Sequence, residues 1–127
     1  MRTVTALLLL VFSLTLSSCG KKSLAGLGGQ AVLKLYAKHH SAPIDSITFY
    51  IKFNATDAPS NNQYDLVQKA VVYGTGNSYA TVSGLKKGDY YVYAYGWDPS
   101  ISEAVSGGIP YVISSETEQN VTVPVTE

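Results

Sequence analysis

Arginine occurs once in this chain, at Arg2, and cysteine once, at Cys19. Each scarcity closes off a class of function. Nucleic-acid binders carry a basic stripe and rely on arginine for bidentate phosphate contacts, whereas here nine Lys and Arg are balanced by nine Asp and Glu. No nucleic-acid partner is expected. A single thiol cannot close an internal disulfide, so stability must come from packing. Nucleophilic catalysis has no recognisable carrier, since there is no Gly-x-Ser-x-Gly elbow and no motif that pairs a serine with a base. "NATDAPSNNQYD" holds Asp57 and Asp65 but lacks the regular spacing of a calcium loop. His39 and His40 are adjacent, and neighbouring strand residues point to opposite faces, so the pair reads as a polar strand terminus unless a loop relaxes that alternation. No catalytic residue, metal or cofactor is expected. A pair of carboxylates meets only in space, however, so a small hydrolase or metalloenzyme is the alternative reading of another class.

What is present begins with "MRTVTALLLLVFSLTLSSCGKK". One arginine, an apolar stretch from about Val4 to Leu16 and small residues before Cys19 form a secretory signal peptide. The stretch is shorter than the ~20 apolar residues a membrane-spanning helix needs. Leu16, Ser17, Ser18 and then Cys19 resemble the bacterial lipoprotein box, an aliphatic residue and two small ones before the cysteine. That resemblance implies cleavage before Cys19, a thioether-linked diacylglycerol and an amide-linked acyl chain, hence a firm membrane anchor. Gly20, where lipoproteins kept at the inner membrane often carry aspartate, favours the outer membrane by the same resemblance. The chain then divides into a signal peptide over 1–18, a lipidated flexible tether over 19–29 and a β-domain over 30–127. Cleavage leaves about 109 residues, with eight lysines against nine acids and a net charge of about −1.

From Gln30 onward no apolar run has helical spacing, and period-two segments recur between turn signals. "QAVLKLYAKHH" puts Ala31, Leu33, Leu35 and Ala37 on one face and Lys34, Tyr36 and Lys38 on the other. "IDSITFYIKF" turns Ile47, Phe49, Ile51 and Phe53 inward, with Ser46, Thr48, Tyr50 and Lys52 outward. "YDLVQKAVVYG" reads as a third strand, "SYATVSGL" as a fourth, "DYYVYAYGW" as a fifth, "IPYVIS" as a sixth and "QNVTVPVT" as a seventh. In the last, Val121, Val123 and Val125 face inward, and Pro124 should turn its missing donor away from the ladder. Seven short strands in roughly 100 residues predict an all-β, immunoglobulin-like sandwich.

"LKKGDYYVYA", residues 85 to 94, resembles the Leu-x-x-Gly-x-Tyr-x-Val-x-Ala motif of transthyretin-like (prealbumin-like) sandwiches, including collagen-adhesin B-type repeats and carboxypeptidase regulatory-like domains. The resemblance implies that Leu85 plugs the core, Gly88 makes the turn, Tyr90 forms a tyrosine corner, and Val92 and Ala94 point inward. With "KHH", "YIKF" and a closing "PVTE", the whole domain is also similar to small Bacteroidetes lipoproteins of unknown function. Two enzyme families share the transthyretin-like architecture, and this chain departs from both. Hydroxyisourate hydrolases need an arginine and a C-terminal Tyr-Arg-Gly-Ser, where this sequence has "VPVTE"; intradiol dioxygenases hold iron with two tyrosines and His-x-His, where these histidines are adjacent.

On this register Tyr91, Tyr93, Tyr95 and Trp97 lie outward. Such aromatics stabilise a solvated sheet face through cross-strand pairs, or form a platform for a sugar ring or a partner protein. The expected function is therefore non-enzymatic: a lipid-anchored envelope sandwich acting as a binding, adhesive or structural module. A carbohydrate-binding domain using the four aromatics is the alternative.

Overall fold

Alternating apolar and polar side chains become strands along most of the domain. The structure, a computed structural model, describes residues 24–127; Leu16, Ser17, Ser18 and Cys19 lie outside the described residues. In chain order the strands are β1 (Leu27–His39), β2 (Ala42–Pro43), β3 (Ser46–Phe53), β4 (Leu66–Lys69), β5 (Val71–Val72), β6 (Ser78–Leu85), β7 (Gly88–Asp98), β8 (Glu103–Ile113) and β9 (Glu118–Val125). One sheet runs β5-β6-β1, with β2 and β9 also paired to β1; the other runs β4-β3-β7-β8. The two pack as an all-β sandwich.

The inward columns are as the alternation predicts. Leu33, Leu35, Phe49, Ile51, Leu85 and Val92 are wholly buried, and Val121, Val123 and Val125 line the same core. Tyr90 stands in it as a tyrosine corner. Its hydroxyl donates to the Lys86 carbonyl at 2.7 Å and accepts the Gly26 amide at 2.9 Å, while its ring meets Phe53 edge-on. Gly88 opens this strand at φ +146°, where a Cβ would press on the backbone of Ala25.

Three expectations are corrected. The tether does not run to residue 29, because Ala25 and Gly26 are buried and β1 starts at Leu27. Hydrogen bonds hold them there: the Ala25 amide donates to Asn54 Oδ1 and the Gly26 amide to Tyr90. The segment "YDLVQKAVVYG" is two strands rather than one. The chain crosses between sheets at the buried Ala70, whose amide donates to the Ile47 carbonyl, leaving β4 on one sheet and β5 on the other. β8 is longer than "IPYVIS", since a tight turn after Asp98 lets it pair along the whole of β7. With these and the two-residue β2, the strands among the described residues number nine rather than about seven.

Among the described residues all strand pairings are antiparallel except one. β9 lies parallel to β1, from Val32 opposite Glu118 to His39 opposite Val125. The Thr126 amide donates across to Ser106 of β8, and alternate amides of a strand share a side, so Pro124 turns its missing donor away from β1 as expected. This parallel pairing carries the end of β9 to the end of β1. It brings His39 beside the final residues of the chain.

Candidate functional site

The register of β7 places its outward side chains in one column. Tyr91 lies opposite Lys52 and Pro110, Tyr93 opposite Tyr50 and Gly108, Tyr95 opposite Thr48 and Ser106, and Trp97 opposite Ser46 and Ala104. The four expected platform residues thus share a face, but they do not share an environment. Tyr93 joins a three-ring cluster, 6.0 Å from Tyr50 and stacked 6.0 Å from Tyr64 at an interplanar angle of 19°. Tyr64 ends the long loop after β3, and Asp65 beside it accepts the Phe53 amide at 2.7 Å, so this cluster fastens the loop to the sheet. The tip of the Tyr91 ring lies over Gly108, where a Cβ would collide with the phenol oxygen. Burial raises the pKa of both Tyr64 and Tyr91.

Tyr95 and Trp97 differ, being 49% and 48% exposed. Small residues flank them on both sides, and beside them Ser46, Thr48 and Lys69 line a shallow hollow. The platform of four therefore narrows to an open pair, with Tyr91 and Tyr93 committed to packing.

A second aromatic cluster occupies the outer face of the other sheet. Tyr73 stacks on Tyr79 at 4.5 Å, Tyr36 approaches Tyr79 at 5.4 Å, and Lys34 sits over the Tyr79 ring at 5.5 Å while bonding Glu118 at 2.9 Å. Alternation placed Tyr36 outward. Tyr73 lies in the turn after β5, where strand alternation gives no face.

At one end of the sandwich the inward columns close with charge. His39 is only 4% exposed, its Nδ1 is 2.7 Å from Asp98 Oδ2, and its Nε2 is 2.6 Å from Glu127 Oε2. Both ring nitrogens face carboxylate oxygens, so the protonated ring has an acceptor for each of its N–H groups. The bond to Asp98, and then that to Glu127, raises the His39 pKa above its ordinary 6.5 against the opposing effect of burial. Asp98 is held below its ordinary 3.8 by the Ser100 hydroxyl first and by His39 next. Glu127 falls below its ordinary 4.5 through its own backbone amide first and then His39.

The Ser100 hydroxyl and amide both donate to Asp98 Oδ1, at 2.6 and 2.9 Å. These residues therefore form no Ser–His–Asp relay, because the serine meets the acid and not the base. His39 is a buried junction and not the polar terminus expected. The alternation argument also fails at His40, which has φ 45° and tilts its ring to a centroid distance of 4.2 Å from His39. His39, His40 and Glu127 each offer one ligand atom, all within 4.8 Å of one another. Trp97 and Asp98 meet at a cleft shared with Ala42, Pro43, Ser46 and Ser100, so the open aromatic pair and the charged junction lie at the same end.

Compared with protein-family models, with curated proteins and with solved structures, the chain finds no match.

Proposed function

We propose that this chain is a non-enzymatic, lipid-anchored binding module of the bacterial cell envelope that engages its ligand through Tyr95 and Trp97. The observation that carries this reading is the exposure of both rings on an outer face where their neighbours are small. Tyr93 on the same column, by contrast, packs against Tyr50 and Tyr64. Trp97 and Tyr95 keep a large, rigid, amphipathic area open at low entropic cost, which is the chemistry of a recognition surface. Leu16, Ser17, Ser18 and Cys19 support a lipid anchor and Gly20 favours the outer membrane, with the sandwich held at the lipid surface.

A saccharide ligand is favoured by the hollow itself. Ser46, Thr48 and Lys69 set hydroxyls and an amine beside the two rings, matching a sugar that stacks through its C–H face and bonds through its rim. The test is binding of the full chain, purified in detergent, to arrayed envelope glycans and proteins. Trp97→Ala should weaken capture by about 30-fold, the equivalent of ~2 kcal/mol for an anchor residue, while the melting temperature hardly moves. Equal capture by parent and variant would refute the proposed surface.

A further inference from the structure

We propose that His39, His40 and Glu127 bind a borderline divalent transition ion, with Zn²⁺ as its representative. The site is built around one fixed ligand. His39 is buried, and Asp98 grips its Nδ1 at 2.7 Å, leaving Nε2 as the atom that faces Glu127. A carboxylate on the far nitrogen is the usual device that orients a metal-binding imidazole and raises its basicity. Asp98 is itself held by the hydroxyl and amide of Ser100. The chain from Ser100 through Asp98 to His39 thus sets the first ligand in position.

The other two ligands are free to adjust around it. His40 and Glu127 have side chains 77% and 50% exposed. Glu127 Oε2 lies 2.6 Å from His39 Nε2 and 3.9 Å from His40 Nε2. Zinc bonds of 2.0–2.1 Å in a tetrahedron place donor atoms about 3.3 Å apart. Of the three separations, that of Glu127 from His39 must open and that of Glu127 from His40 close by under about 1 Å, while the His39–His40 one, within 4.8 Å, settles to the same span, all through the exposed side chains of Glu127 and His40. Coordination replaces the hydrogen bond at His39 Nε2, whose proton leaves to water.

The turn contributes as well. His40 and Ser41 lie between the paired His39 and Ala42 with φ of 45° and 69°, the two-residue hairpin turn that ordinarily selects Asn-Gly. Holding a histidine there folds its ring over His39 instead of to the opposite face. Two imidazoles and one carboxylate suit zinc, copper, nickel or cobalt and not the all-oxygen shells of calcium or magnesium. Three protein ligands leave a coordination position on the solvent side for water or a donor from a bound molecule.

The experiment is calorimetric titration of the full chain in detergent with ZnCl₂ after chelator treatment, repeated on His40→Asn and Glu127→Gln. Asparagine tolerates the left-handed conformation, so the first variant keeps the turn while removing the ligand. One Zn²⁺ per chain at micromolar or tighter affinity is expected. Each variant should bind at least about tenfold more weakly, with an unchanged circular dichroism spectrum. Co²⁺ should give visible absorption bands in the parent that both variants lose, while Asp57→Asn binds like the parent. No zinc bound at millimolar concentration, or parent-like affinity in both variants, would overturn the site.

Discussion

Replacing Tyr90 by Phe removes one oxygen atom from the centre of the sandwich. That oxygen accepts the Gly26 amide at 2.9 Å and donates to the Lys86 carbonyl at 2.7 Å. The ring contact with Phe53, at 5.7 Å and 85°, is preserved. Tyr90 is wholly buried and Gly26 is buried, so water does not replace the lost acceptor. Net hydrogen bonds contribute ~0.5–1.5 kcal/mol each and a buried donor left unpaired costs ~1–3, which together put the change at about 2–4 kcal/mol. For a domain of this size the melting temperature should fall on the order of 10–25 °C. Thermal and urea unfolding should agree, with the denaturant slope unchanged. Hydrogen exchange at the Gly26 amide should accelerate, since this bond ties the start of the domain to the core. Tyr95→Phe, on the exposed face, should stay within about 0.5 kcal/mol of the parent. A Tyr90→Phe protein that melts like the parent, with Gly26 as protected as before, would refute the tyrosine corner as a clamp.

Other predictions follow from the same geometry. His39, raised above 6.5, stabilises the fold fully below that pH, and this is lost as pH rises through its folded value; Asp98 and Glu127, lowered from 3.8 and 4.5, stabilise above those values and lose this as pH falls through their folded ones. Metal-free protein should therefore be most stable between about pH 4.5 and 6.5, and His39→Gln should remove the alkaline limb of a melting-temperature profile and reduce the acid limb only in part, since Ser100 and the Glu127 backbone amide still lower the two carboxyls. Val92→Asp should abolish the cooperative melt, because Val92 is wholly buried and a charge there has no partner, whereas Tyr95→Asp should leave it nearly intact. Cys19→Ala should leave an uncleaved precursor that takes up no labelled fatty acid; normal processing and labelling would refute the anchor.

The layers of this fold were legible because period two survives along nearly every strand. The columns Ala31 to Ala37, Tyr90 to Gly96 and Val121 to Val125 are apolar and end up inward. The same parity, carried one step further, reaches His39, Asp98 and Glu127, three ionisable residues closing three inward columns. That signal was available and marks a buried charged junction, since a lone charge cannot be left inside a core. What parity does not contain is the parallel pairing of β1 with β9, which brings His39 to Glu127, 88 residues away in sequence, or the packing of the two sheets that sets Asp98 of β7 against His39. Turns escaped it for another reason. The left-handed His40 breaks alternation locally, so the adjacent histidines converge instead of diverging. The division of the platform depended on neighbours as well: Tyr93 is covered by Tyr64 from a loop and Tyr91 by the closeness of Gly108, neither of which β7 can report about itself.

Tyr95 and Trp97 form the proposed ligand surface, and Trp97 is the only tryptophan in the chain. Its fluorescence therefore reports on that surface alone. Trp97 emission and acrylamide quenching should be measured on the full chain as tryptophan-free envelope glycans that it captures are added. A ligand stacked on the ring should shift the emission to shorter wavelength and protect it from quencher, in proportion to the amount captured. Capture that leaves both the emission and the quenching of Trp97 unchanged would contradict the account.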